Sequence, residues 1–439
     1  MRGRGLAVPS GFRAAGWIAA IAVAVQALLL LWAGQPSSRP LVGDEVMYWD
    51  VARRLAAGQP SGLDPLWPPL YPYFLAVAGG DARVIQALQC ALLAASAWLL
   101  YDITVRLTRS VRAGAVAAVL LLLDPQVAAF ATYFWPEILH LFLLLSIAWI
   151  LTARREQPWW GLPFGAAIGL ALLTKNLLEP FVPVLFGAWL IGSGRRGIAG
   201  AVFAAIALAA TVAPVAIENR ARHGAYFLGD SAAFNVLVGL RDTERRNFVN
   251  DTVGTEFARY ADSAPTHVER VAILRQQIRA FVSDRGVIDT LIAQLRRQYF
   301  RLFDRESFFA DQLPGGILFN GGFGYRGLPP WLGVAWRLFA TLLYAGVLVT
   351  APFGAVHLFR HARGPAMLAL TYVTYVLAIS LVVHLKTRYR VQLLPVFYLS
   401  SALLLTGPSG LPAAGAPRIA PAVCAVALLL LAFGGAWLP

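Results

Sequence analysis

Charge is scarce in this sequence: 14% of its 439 residues are Asp, Glu, Lys or Arg, while 58% are hydrophobic. Soluble domains carry about a quarter charged residues, so a water-soluble protein with one core is excluded. Cysteine is nearly absent, and both residues, Cys90 and Cys424, lie inside apolar segments, which excludes a disulfide framework and a thiolate zinc site. Acidic residues are outnumbered, 23 against 37 Lys and Arg, giving a formal net charge of +14. The surplus falls in short clusters between apolar runs, as in loops retained on the cytoplasmic side of a membrane, so no nucleic-acid partner is expected. Internal repeats and low-complexity tails are also missing.

What is present is a series of apolar runs about 20 residues long, the length that crosses a bilayer. They predict an all-α polytopic membrane protein with about eleven transmembrane helices near 14–33, 82–105, 112–131, 134–153, 159–174, 176–192, 197–217, 333–356, 365–384, 389–406 and 419–438. Arg2, Arg4 and Arg13 before the first run have a signal-peptide layout, but the run is long enough to span and is expected to remain as the first helix. Alternate connections carry Arg106, Arg109 and Arg112, then Arg154 and Arg155, Arg195 and Arg196, Arg360 and Arg363, and Arg418. The facing connections carry Asp44, Glu45, Glu137 and Glu179, so the N-terminus is expected inside and the acidic face outside. This divides the chain into an N-terminal membrane core, 1–217, a large outer loop, 218–332, and C-terminal membrane helices, 333–439.

Two outer connections are long. In the first, 34–81, Met47, Val51 and Leu55 recur at helical spacing beside Arg53 and Arg54, predicting a short helix on the membrane surface. The proline-rich stretch from Asp64 to Pro72 then breaks regular structure. In the second, Ile288, Leu291, Ile292, Leu295, Tyr299 and Leu302 share one face, predicting an amphipathic interfacial helix after another near 266–282, with Asp284 as its cap. The Gly, Pro and aromatic residues of 314–330 read as a loop suited to act as a lid.

The informative residues are those that break the charge rules. Adjacent carboxylates at the mouth of a span, Asp44 and Glu45, are costly unless they face water or a partner, which marks a site. Lys175, Arg220, Arg222, Lys386, Arg388 and Arg390 are cations on the face that should lack them. Level with lipid headgroups, such a cluster is suited to hold the phosphate of a phospholipid-like anion.

Several short motifs, in order and on one side, resemble GT-C glycosyltransferases, and among them the protein O-mannosyltransferase and lipid A aminoarabinose transferase group. They are Asp44-Glu45 after the first span, Pro136-Glu137, Leu173-Thr174-Lys175, Glu218-Asn219-Arg220 followed by His223-Gly224, Asn235-Val236-Leu237-Val238-Gly239, and Arg388-Tyr389-Arg390 with Pro395. The resemblance runs from about 14 to 406. It implies an inverting transferase that takes a sugar from a polyprenyl-phosphate donor and passes it to a lipid, glycan or protein acceptor, with Asp44 near the reaction centre and Glu45 its neighbour. It also implies a bacterial inner-membrane protein with its site on the periplasmic face. Members of the group often have Arg where Lys175 stands, and the further soluble domain that several carry is not expected from these 439 residues.

The chemistry is consistent with one acid and several cations. An inverting transfer needs a carboxylate to accept the acceptor's proton, while a leaving phosphate needs cations more than a proton donor. Adjacent carboxylates on a helix point apart, which disfavours hydrolysis between two acids. Asp44 and Glu45 are the expected catalytic residues, Asp44 as the base, unless it only caps the surface helix, and Glu45 as acceptor or metal contact, unless it only favours the helix dipole. Lys175, Arg388 and Arg390, with Tyr389 between the arginines, are expected to bind the donor phosphate. Glu137, Arg220 and Asp64 are further substrate-binding candidates, though turn formation before Pro65 also accounts for Asp64. No cofactor or metal site is expected, although carboxylates leave room for Mg²⁺ or Mn²⁺. Two other functions compete: a transporter or flippase of lipid-linked sugars, and a surface-glycan polymerase or ligase.

Overall fold

The computed structural model describes residues 10–35, 39–153, 157–194, 197–242, 251–297, 299–407 and 419–434; Arg2, Arg4, Arg154, Arg155, Arg195, Arg196 and Arg418 lie outside them. Among the described residues there is no strand. The chain runs through α1 (Ser10–Ala33), α2 (Asp44–Ala56), α3 (Leu70–Ala76), α4 (Ala82–Thr108), α5 (Val111–Leu123), α6 (Pro125–Ala128), α7 (Glu137–Ala153), α8 (Gly161–Thr174), α9 (Val182–Ser193) and α10 (Gly197–His223). It continues through α11 (Ala232–Arg241), α12 (Thr252–Asp262), α13 (His267–Arg285), α14 (Val287–Arg297), α15 (Phe308–Asp311), α16 (Pro330–His361), α17 (Arg363–Ile379), α18 (Leu394–Thr406) and α19 (Ile419–Leu429).

A helix falls on each expected apolar segment, and among the described residues 5 helices are long and apolar enough by themselves to cross a membrane, or up to 6 with one bent pair. The bent pair falls in the span expected over 112–131, where Asp124-Pro125 reads as a kink holding a satisfied polar residue. Its helix stops at Leu123 and turns by 59°, because Asp124 leaves helical geometry and its side chain accepts the Gln126 amide at 2.9 Å. Pro125 then occupies the first turn of α6, where its missing N–H costs nothing. The expected helices over 134–153, 365–384 and 389–406 also shrink, to α7, α17 and α18. The residues trimmed from their outer ends, 134–136, 380–384 and 389–393, become the turns that carry side chains to the site.

Packing inside the bundle depends on small residues. A Cβ on Gly161 would lie 2.0 Å from the Gly200 carbonyl oxygen, and one on Gly165 would lie 1.9 Å from that of Ala204. The one-turn spacing of these glycines lets the α8 and α10 backbones touch, as close membrane helices require. Gly354 of α16 meets the Ser400 carbonyl of α18 in the same way.

Outside the bundle, α11, α12 and α13 enclose a separate small core of Leu66, Phe234, Leu237, Val238, Tyr260, Val271 and Leu274. Thr266 and Glu269 form a reciprocal cap on α13. Asp284 does not cap α14; it lies in the last turn of α13, which ends at Gly286 with φ +84. The expected apolar face of α14 is present, and Ile288, Leu291, Ile292 and Leu295 are exposed rather than packed.

Candidate active site

Described residues of the connections 34–81, 124–136, 175–181, 224–329 and 380–393 meet around one cluster, Asp44 with Arg388, Lys175 with Glu137, and Phe308 with Trp135. Gly43, at φ +58, turns the chain into α2, a conformation that favours glycine. Asp44 is thereby the first residue of the helix and not its cap, and the cap residue makes no side-chain bond. Its carboxylate is free to face outward. There it meets Arg388: the guanidinium Nη2 donates to Asp44 Oδ2 at 2.6 Å.

Arg388 is firmly seated. Its guanidinium carbon lies 4.6 Å from the Trp135 ring centroid and 5.5 Å from that of Tyr389, a stacking suited to the planar cation. Its Nε is 3.8 Å from Glu137 Oε1. Lys175, just beyond the end of α8, donates from Nζ to the same Glu137 oxygen at 2.7 Å, and its ammonium lies 5.7 Å from the Tyr389 centroid. Asp44, Glu137, Lys175, Arg388 and Tyr389 thus form one cluster in which two carboxylates balance two cations.

Within this cluster, Glu137 Oε2, Arg388 Nε, Trp135 Nε1 and Thr387 Oγ1 are buried without a hydrogen-bond partner. Buried polar atoms are normally satisfied, so their convergence marks a place for a polar ligand. A small pocket lined by Gln126, Phe130, Ser307, Phe308, Thr387 and Arg388 opens beside them.

Four other expected site residues sit elsewhere. Glu45 is fully buried: Arg39 donates to both its oxygens at 2.7 and 2.6 Å, and the Phe134 amide donates to Oε1 at 2.9 Å. Adjacent residues on a helix diverge by about 100°, so one acid faces the opening and the next the interior. Arg390 is also buried and bonds the Asp304 carbonyl and the Gln126 side chain, with its guanidinium carbon 4.2 Å from the Tyr344 centroid. Arg220 stays at the exposed end of α10 on the Gly224 carbonyl. Asp64 caps its own turn through the Leu66 amide at 3.0 Å and accepts from Tyr260 at 3.4 Å, joining the first outer loop to the small outer core.

Other residues now join the description. Arg39 carried the same signal as Lys175, a cation on the acidic face. Trp135 and Thr387 carried none, because an aromatic or a threonine at a span boundary is ordinary. Asp242 lies 2.6 Å from Arg301 and 3.3 Å from His384 Nδ1 in a buried trio that joins the end of α11 to the 380–386 turn. Burial pushes His384 down to about 4 against the pull of Asp242. Burial, helped by Arg301, lowers Lys386 to about 8. Asp304, behind Arg390, is pushed up by burial to about 6. Among the described residues, no group of three or more His, Cys, Asp or Glu is placed to hold a metal ion.

Residues 65–217 match the family model of dolichyl-phosphate-mannose-protein mannosyltransferases. The resemblance to GT-C glycosyltransferases noted from the motifs is thus matched over α3–α10, including Glu137 and Lys175. Asp44 and Arg388 lie outside the matched stretch. Among solved structures, the archaeal oligosaccharyltransferase AglB from Archaeoglobus fulgidus, in complex with an inhibitory peptide and a dolichol-phosphate, aligns with 96% of this chain at 16% identity and a TM-score of 0.49. The chain spans about half of that protein's length, 55%. No curated protein matches the sequence.

Proposed function

From this likeness to membrane mannosyltransferases we propose that the chain is an integral-membrane inverting glycosyltransferase. It moves a monosaccharide from a polyprenyl-phosphate donor to an acceptor at the outer face of the membrane. The observation that carries the reading is the meeting of Asp44 with Arg388 at 2.6 Å, beside Lys175 and four unsatisfied polar atoms. A base and phosphate-binding cations are the two parts the reaction needs.

In the step, the Asp44 carboxylate takes the proton of the acceptor nucleophile as that atom attacks the anomeric carbon of the sugar. The bond from that carbon to the phosphate oxygen breaks, and its electron pair stays on the leaving polyprenyl phosphate. Arg388 and Lys175 stabilise the charge that develops there, as fixed cations in a water-poor site do well. Trp135 and Tyr389 hold the Arg388 guanidinium in place beside the reacting bond. The 218–332 region covers the cleft: Phe308 packs 4.1 Å from the Trp135 centroid, and Tyr325 shares a hydroxyl bond with Tyr133.

The test is transfer from a polyprenyl-phosphate sugar in reconstituted vesicles. Removing a general base costs about 10²–10⁴-fold, so Asp44→Asn is expected to lose at least a hundredfold in turnover while remaining monodisperse. Full activity in that variant defeats the mechanism.

A further inference from the structure

The proposed base and the proposed phosphate-binding cation are bonded to each other. Asp44 Oδ2 receives Arg388 Nη2 at 2.6 Å, so both groups are occupied when no donor is bound. Building on the reading above, we propose that the donor's phosphodiester takes the place of Asp44 on Arg388, and that this exchange frees the base.

The geometry says which partner yields. Arg388 lies against the Trp135 and Tyr389 rings, with Glu137 3.8 Å from its Nε. The Glu137 side chain is 1% exposed and is tied to Lys175 at 2.7 Å. Asp44 stands at the start of a surface helix, its side chain 24% exposed, and among the described residues Arg388 is the one hydrogen-bond donor to its carboxylate. The cation is fixed and this carboxylate is the movable anion. Burial of Glu137 makes its departure from Lys175 the costlier alternative, since it would strand a charge away from water.

Charge balance gives the exchange a direction. Asp44, Glu137, Lys175 and Arg388 together are neutral, and a phosphodiester brings one negative charge. Once it sits on Arg388, Asp44 has lost its counter-ion and faces a new anion. Those are the conditions in which a carboxylate accepts a proton most readily. Donor binding therefore prepares the base for the acceptor, and without donor the base stays engaged. The order of events is donor first, then acceptor deprotonation.

Equilibrium binding of undecaprenyl monophosphate, a non-transferable probe, to the full chain in nanodiscs tests the exchange. Removing the competing charge in Asp44→Asn is expected to tighten binding at least threefold, and Asp44→Ala is expected to agree. Arg388→Gln is expected to weaken it at least tenfold, with Arg388→Lys intermediate. Asp44→Asn added to Arg388→Gln is expected to gain nothing, because the competition passes through the arginine. If the unsubstituted chain binds the probe but both Asp44 variants bind equally or more weakly, the exchange is wrong and the transferase reading stands. If the unsubstituted chain neither binds the probe nor transfers sugar, the transferase reading itself fails, and the exchange with it.

Discussion

At the scale of single residues, neighbours in sequence do opposite work. Asp44 and Glu45 read alike as an acidic pair, yet one faces the opening and the other closes a buried ion pair with Arg39 that also receives the Phe134 amide. Glu45→Gln leaves the Arg39 charge buried without an anion, a change that costs about 3–5 kcal/mol. A large drop in the thermal unfolding midpoint of the purified protein is expected, and an unchanged midpoint would show that the pair is not structural. Arg388 and Arg390 divide in the same way, one toward Asp44 and one toward Gln126. That Asp44, Glu137, Lys175 and Arg388 belong together was legible in the sequence, because the cost of charge near lipid singles such residues out. Which of two adjacent charges turns inward was not, because that depends on the partner across the fold: Arg39 for Glu45, and the Asp304 carbonyl for Arg390.

At the scale of elements, the apolar runs located the helices, and their ends escaped for a definite reason. Hydropathy does not register where a helix stops if the following turn is also apolar or aromatic, as at 134–136 and 380–384. Asp124-Pro125 reads from sequence as a kink, and the size of the bend, 59°, comes with the capping bond from the Gln126 amide to the Asp124 side chain. The α8–α10 contact gives a sharp expectation. In Gly165→Leu the new side chain starts 1.9 Å from the Ala204 carbonyl oxygen, so the helices must part. Overpacking of this kind costs about 1–3 kcal/mol, and an earlier thermal transition in detergent is expected, with Gly187→Leu as a control because nothing lies within 4 Å of a Cβ there.

At the scale of the whole molecule, the gathering of distant segments around one cluster was anticipated by charge alone, since Asp44, Glu137, Lys175 and Arg388 come from four separate connections. The same argument leads us to expect these residues on the outer side of the membrane. Gln59→Cys, exposed beyond the end of α2, is expected to react with an impermeant maleimide added to intact cells, and Arg360→Cys, exposed near the end of α16, only after permeabilisation. The reverse pattern would put the site inside. The helices that end at the site are also short: α7 has 17 residues, α8 has 14 and α18 has 13. At 1.5 Å per residue they reach roughly 20–25 Å, less than the roughly 30 Å of bilayer hydrocarbon. Thinning of the bilayer is one way a membrane accommodates spans of that length. In the proposed transfer, a carrier lipid in such a thinned leaflet would bring its headgroup to Arg388 with its tails still solvated by neighbouring chains, and would not have to be lifted out of the membrane to react.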